Sequence, residues 1–131
     1  MSNVVRLRSS NNEVFEAAEC MIAMSKTIQT MLNRFQDDQV VILPLEQVDS
    51  KTLAMVREWC DNHVTKSTLK QYQFVEGLDI DVLLHLLITA NYLDIKELGN
   101  HMREAIAERA QRKALEEIDP RSFHTAVFLK G

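Results

Sequence analysis

Four histidines, two cysteines and a few paired carboxylates are the side chains best suited to chemistry in this 131-residue chain. Cys60 and His63 stand one helical turn apart, which is half of a structural zinc site. A closed site needs four ligands, and the other cysteine, Cys20, lies in a distant segment of different character. His101 sits between Glu97 and Glu104, a spacing that resembles an acid/base pair but is also the ordinary charge pattern of a helix surface. Asp79 and Asp81 fall at the start of an expected helix, where the macrodipole favours negative charge. Glu116 and Glu117 read as a solvated pair. A serine nucleophile would want a strained elbow such as G-x-S-x-G, and a phosphate cradle wants closely spaced glycines. The sequence holds neither pattern and only 3 Gly. A cysteine- or histidine-based hydrolase would therefore need a nucleophile and base brought together from unrelated segments. The expectation is a protein with no catalytic residues, no metal and no cofactor.

Composition narrows the remaining classes. The net charge is −4, with 46% hydrophobic and 26% charged residues, the profile of one ordinary globular domain. A sequence pI near 5.5 argues against nucleic acid or an anionic membrane as partner, since both want a basic face. The longest apolar stretch, Val82 to Ile88, is broken by His85 and falls far short of the roughly 20 residues of a membrane span. Arg6 and Arg8 come too early for a secretory h-region. The expected location is cytoplasm and nucleus, with both thiols reduced.

The elements that must position these residues follow from periodicity. Val5 and Leu7 alternate with Arg6 and Arg8, a half-buried strand. Ser9 to Asn12 is a turn signal, and 13–16 reads as the return strand of a hairpin. Residues 17–24 form a short helix. Ser25 caps the next one, which runs to about Phe35 with Ile28, Met31, Leu32 and Phe35 on one face. Residues 40–45 make a third strand, which Pro44 confines to a strand end or sheet edge. Asp49 caps a helix to about His63, and residues 65–73 read as irregular. Asp79 opens a helix to about Tyr92 that is apolar all round, hence central or covered by a partner. Asp94 and Glu97 form a variant capping box for a helix carrying Leu98, Met102, Ile106 and Ala110. Residues 113–118 continue it or form a separate helix, and Asp119-Pro120 ends it. Phe123 to Leu129 is an apolar tail. Three strands cannot make a large sheet, so they cap a helical cluster in an α+β arrangement. The back half carries more large apolar residues than such a cluster needs, which points to a docking groove for another chain.

The segment ITANYLDIKEL (residues 88–98) resembles the signature of the S-phase-kinase-associated adaptor family of SCF ubiquitin ligases. VVRLRSSNNEVFE is similar to that family's opening hairpin, SKTIQTML to its second helix, and ILPLEQVDSKTLAMVREWCDNH to its third strand and helix. KALEEI matches the start of its C-terminal extension, so the likeness spans about residues 4–118. It implies a BTB/POZ-like fold, a small three-stranded sheet capping a helical bundle, with a BTB/POZ-like domain at 1–110 and a shortened C-terminal helical extension at 111–131. It also implies a non-enzymatic adaptor that bridges a cullin to F-box proteins. Carried over residue by residue, Asn91 and Tyr92 fall on the cullin face. Leu83, Leu84, Leu87, Ile106, Ile118 and Phe123 fall where the family contacts the F-box. Gly99 and Arg103 stand where the family has larger or more apolar residues on the F-box side, and Leu115 where it has a proline. The alternative reading is structural: a BTB-type homodimer whose groove is filled by a second copy, or an elongin-C-like adaptor.

Overall fold

Alternation in the first strand sets the whole sheet. In the computed structural model, which describes residues 4–35 and 40–117, β1 (Val4–Arg8) turns Val5 and Leu7 inward and Arg6 and Arg8 to solvent. β2 (Val14–Glu16) pairs with it antiparallel, Leu7 opposite Phe15. The turn between them is held by side chains as well as backbone. The Glu13 N–H donates to Ser9 Oγ at 3.1 Å, the Ser9 hydroxyl donates to Asn11 Oδ1 at 2.7 Å, and Asn12 takes a positive φ of 65°, which asparagine tolerates. β3 (Val40–Pro44) pairs with β1 in parallel, Leu7 opposite Leu43. The order β2-β1-β3 leaves β3 at an edge, with Pro44 at its last pair.

Parallel pairing requires a crossover, supplied by α1 (Glu19–Met24) and α2 (Lys26–Leu32). Then follow α3 (Ser50–Val64), α4 (Thr68–Glu76), α5 (Ile80–Leu93) and α6 (Lys96–Glu117). One core joins the sheet to the bundle. Leu7 and Leu43 from the sheet meet Ile28 of α2, Leu53 and Trp59 of α3, Leu83, Leu86 and Leu93 of α5, and Leu98 and Met102 of α6, all fully enclosed. Each such side chain contributes about 1.5–3 kcal/mol by leaving water.

Several expectations change. α2 stops at Leu32, three residues short of the expected end, and Phe35 is exposed. Residues 65–73, expected to be irregular, fall largely in α4, which runs Thr68–Glu76. This helix has no fully buried residue, though Phe74 and Val75 pack partly buried against the core. Polar groups tie it as well: Gln71 Nε2 donates to the Trp59 carbonyl at 3.1 Å. The Arg109 guanidinium of α6 donates to the carbonyls of Leu78 at 2.6 Å and Val75 at 3.1 Å, at the end of α4. Asp94 does not open α6. It closes α5 in the left-handed region, φ 53°, where a short polar side chain substitutes for glycine. Residues 113–117, expected to continue the helix before them or to form a separate one, continue it as the end of α6. Ile118, Asp119-Pro120 and residues 123–129 lie outside the described residues.

Candidate functional site: the outer face of α5 and its turn into α6

α5 is apolar nearly all round, yet its two sides have different fates. Leu83, Leu86, Ala90 and Leu93 face the core and are buried. On the outer side Leu84 is 43% and Ile88 64% exposed. Asn91 continues that line and is also exposed, since positions four and seven apart share a helix face. Leu87 and Ile106 are half-buried against the core.

Leu83, at 0% exposure, stands on the core side of α5, and Ile88 stands on the outer stripe. Periodicity missed it because a helix with apolar residues on every side gives no phase. The i, i+4, i+7 spacing of Leu84, Ile88 and Asn91 is the available signal. Ile118 and Phe123 lie outside the described residues.

The far end of α5 is shaped by the start of α2. A helix leaves its last four carbonyls without partners. Here the Thr27 hydroxyl donates to the Tyr92 carbonyl at 2.7 Å, the Ser25 hydroxyl to that of Leu93 at 2.6 Å, and the Lys26 N–H to that of Asp94 at 3.3 Å. The chain then reverses, the Ile95 N–H donating to the Ala90 carbonyl at 3.0 Å. Tyr92 is thus fixed by its backbone with its ring half-buried near the β3–α3 turn. Burial pushes its hydroxyl above the usual range, and the Glu46 carboxylate adds to that rise while the Glu46 backbone opposes it. A half-buried tyrosine offers an apolar ring with a polar tip, a type of side chain enriched at protein interfaces.

The chemistry-bearing side chains are used for packing. Cys60 is fully buried and its thiol is pushed up to about 12, chiefly by desolvation. Cys20, expected in a separate environment, neighbours it and contributes to that rise. The Cys20 thiol donates to Asp61 Oδ1 at 3.2 Å and is also raised, first by burial and then by Asp61. The nucleophilic form of a thiol is the thiolate, which both settings disfavour. His63 stacks on Trp59 with centroids 5.0 Å apart, and Trp59 Nε1–H donates to His101 Nδ1 at 2.8 Å. His101 thereby links α6 to α3, while the His63 stack lies within α3. Among the described residues no three His, Cys, Asp or Glu side chains are grouped to hold a metal, and no helix is long and apolar enough to cross a membrane.

What this geometry can do is present an apolar ridge ending in Asn91 and Tyr92 on a stiff scaffold. Known proteins resemble the chain along most of its length. Residues 3–65, spanning the sheet and α1–α3, match the Skp1 family, tetramerisation domain. The chain is 34% identical over 123 residues to SKP1-like protein 14 of Arabidopsis thaliana, an alignment covering 89% of this chain and 80% of that protein. It is 35% identical over 130 residues to SKP1-like protein 1A of the same plant, covering 86% and 79%, and 32% identical over 124 residues to SKP1-like protein 17, covering 89% and 81%. With a POZ-type sheet and helices and such relatives along most of its length, the chain belongs to the Skp1 family.

Proposed function

We propose that this protein is a non-enzymatic adaptor of a cullin-based, SCF-type ubiquitin ligase, working in the cytoplasm and nucleus. It joins the N-terminal region of a cullin, held at Asn91 and Tyr92, to an F-box receptor held along Leu84, Leu87, Ile88 and Ile106. In this reading residues 111–131, with Ile118 and Phe123, extend the F-box side. One observation carries the proposal: Leu84 and Ile88 stand 43% and 64% exposed on a helix whose opposite side is the core. Adjacent apolar side chains left in water on a rigid element mark a place that another polypeptide covers. Family membership supports the choice of partner.

The test is reconstitution from purified components. The wild-type chain should form a three-component complex with a cullin N-terminal domain and an F-box motif, read by size-exclusion chromatography with light scattering. Tyr92→Lys should lose the cullin and keep the F-box, whereas Ile88→Glu should do the reverse. A chain that self-associates through Leu84 and Ile88 and takes up neither partner overturns the adaptor reading in favour of a homodimeric scaffold.

A further inference from the structure

Cys20 and Cys60 are the two cysteines of the chain, and the fold brings them together from different helices. Cys60 stands on α3 with 0% exposure, and Cys20 stands half-buried in the first turn of α1, which packs along α3. The Cys20 thiol donates at 3.2 Å to Oδ1 of Asp61, the residue that follows Cys60. It also lies within hydrogen-bond reach of the Cys60 thiol. Both residues are free thiols in this structure.

A buried cysteine on its own is a small apolar filler, and Cys60 fills that place in the core next to Trp59. Cys20 differs from it in access, since solvent reaches it. An outer thiol beside an enclosed one is the division of roles that thiol–disulfide exchange uses. The outer sulfur meets the oxidant, and the enclosed sulfur resolves the mixed disulfide. A disulfide also makes strict demands on the separation of its two residues. The six-residue α1, with Met21 as its one fully buried side chain, is the side that can shift to meet them.

We propose that Cys20 and Cys60 form a reversible oxidation site, closing into a disulfide between α1 and α3 when a small-molecule disulfide such as oxidised glutathione accumulates. Cys20 gives up its proton and its sulfur attacks one sulfur of the small disulfide. That S–S bond breaks, and the first small thiol leaves with a proton. Cys60 then attacks the Cys20 sulfur of the mixed disulfide, and the second small thiol leaves with the Cys60 proton. Two protein thiols are oxidised, and one small disulfide is reduced to two thiols. Burial first, then Asp61, keeps Cys20 protonated, so the exchange is slow and the thiols persist under reducing conditions. The closed bond joins the two ends of a loop that holds α2 and β3, a constraint that acts mainly on the unfolded chain. Neither cysteine belongs to α5 or α6, so the reaction is read on this chain alone, with or without a cullin.

The experiment equilibrates the full chain without oxygen in buffers of reduced and oxidised glutathione, both folded and in urea above the unfolding midpoint. Samples are quenched in acid, alkylated and weighed by mass spectrometry. Wild type should lose both alkylatable thiols together, gain no glutathione mass and form no bond between chains. Linkage is reciprocal, so a bond that suits the fold should survive a ratio of squared reduced to oxidised glutathione at least tenfold higher in the folded chain than in the unfolded one. The urea midpoint of oxidised wild type should exceed that of reduced wild type, and the gap should vanish in Cys20→Ser. Cys60→Ala should stop at a stable glutathione adduct on Cys20, whereas folded Cys20→Ser should keep Cys60 unmodified. A glutathione adduct that persists on wild type, a bond between two chains, or a ratio less than tenfold higher on folding overturns the proposal. If Cys60→Ala fails to fold, wild type and Cys20→Ser decide the matter.

Discussion

The Ser25 hydroxyl donates to the Leu93 carbonyl at 2.6 Å while accepting the Ile28 N–H at 3.1 Å. One fully buried side chain therefore begins α2 and closes α5, although the two residues lie far apart in sequence. Replacing it with alanine would strand a buried carbonyl and a helix N-terminal N–H together. Ser25→Ala should lower stability by about 2–4 kcal/mol, the sum of a lost cap and an unsatisfied buried acceptor. Urea unfolding at neutral pH checks this, and a change within a few tenths of a kcal/mol would mean that the joint is not structural. Because Thr27 and Lys26 act at the same joint, cullin affinity should fall in this variant along with stability.

The Trp59–His101 pair predicts a pH dependence. His101 Nδ1 must be unprotonated to accept the indole N–H, and burial holds its pKa below the usual value, with His63 adding to the fall and Glu104 opposing it. Between the lowered folded value and the unfolded value of about 6.5, the unfolded chain binds the extra proton. The contribution is thus complete above about pH 6.5 and is lost as pH falls through the folded value. Denaturant midpoints followed by Trp59 fluorescence should decline below about pH 6.5 in wild type and less steeply in His101→Gln, where an amide oxygen can accept the same N–H. Parallel declines in both proteins would assign the acid sensitivity elsewhere.

The two sides of α5 separate stability from binding. Leu83→Ala should cost about 2–5 kcal/mol, the range for a fully buried leucine. Ile88→Ala should cost under about 1 kcal/mol, as exposed positions do. Binding of an F-box motif should respond in the opposite order once both proteins are folded. Equal destabilisation by the two substitutions would show that the outer stripe is packed and not presented.

Much of this arrangement is written locally. The Val5/Leu7 alternation, the asparagine turn, Pro44 at a strand end and Ser25 as a cap each follow from one or two residues and their backbone preferences. What stayed hidden depends on groups distant in sequence. α4 is held by Gln71 and Arg109 reaching backbone carbonyls, bonds that no hydrophobic period reveals. Asp94 followed by Glu97 has the spacing of a cap, but that pattern does not say whether the aspartate begins one helix or ends another. The phase of α5 was illegible for the opposite reason. Nearly every position was apolar, so only packing against α3 and α6 separates Leu83 from Leu84. Asn91 and Tyr92 entered through the family resemblance, and nothing in their own types marks them.

The Arg109 brace at the end of α4 has a consequence for how that helix comes away. One side chain of α6 serves both the Leu78 and the Val75 carbonyls, so its removal deprives two acceptors at once. A short helix with no fully buried residue of its own should then loosen before the enclosed Leu98 and Met102 of α6 do.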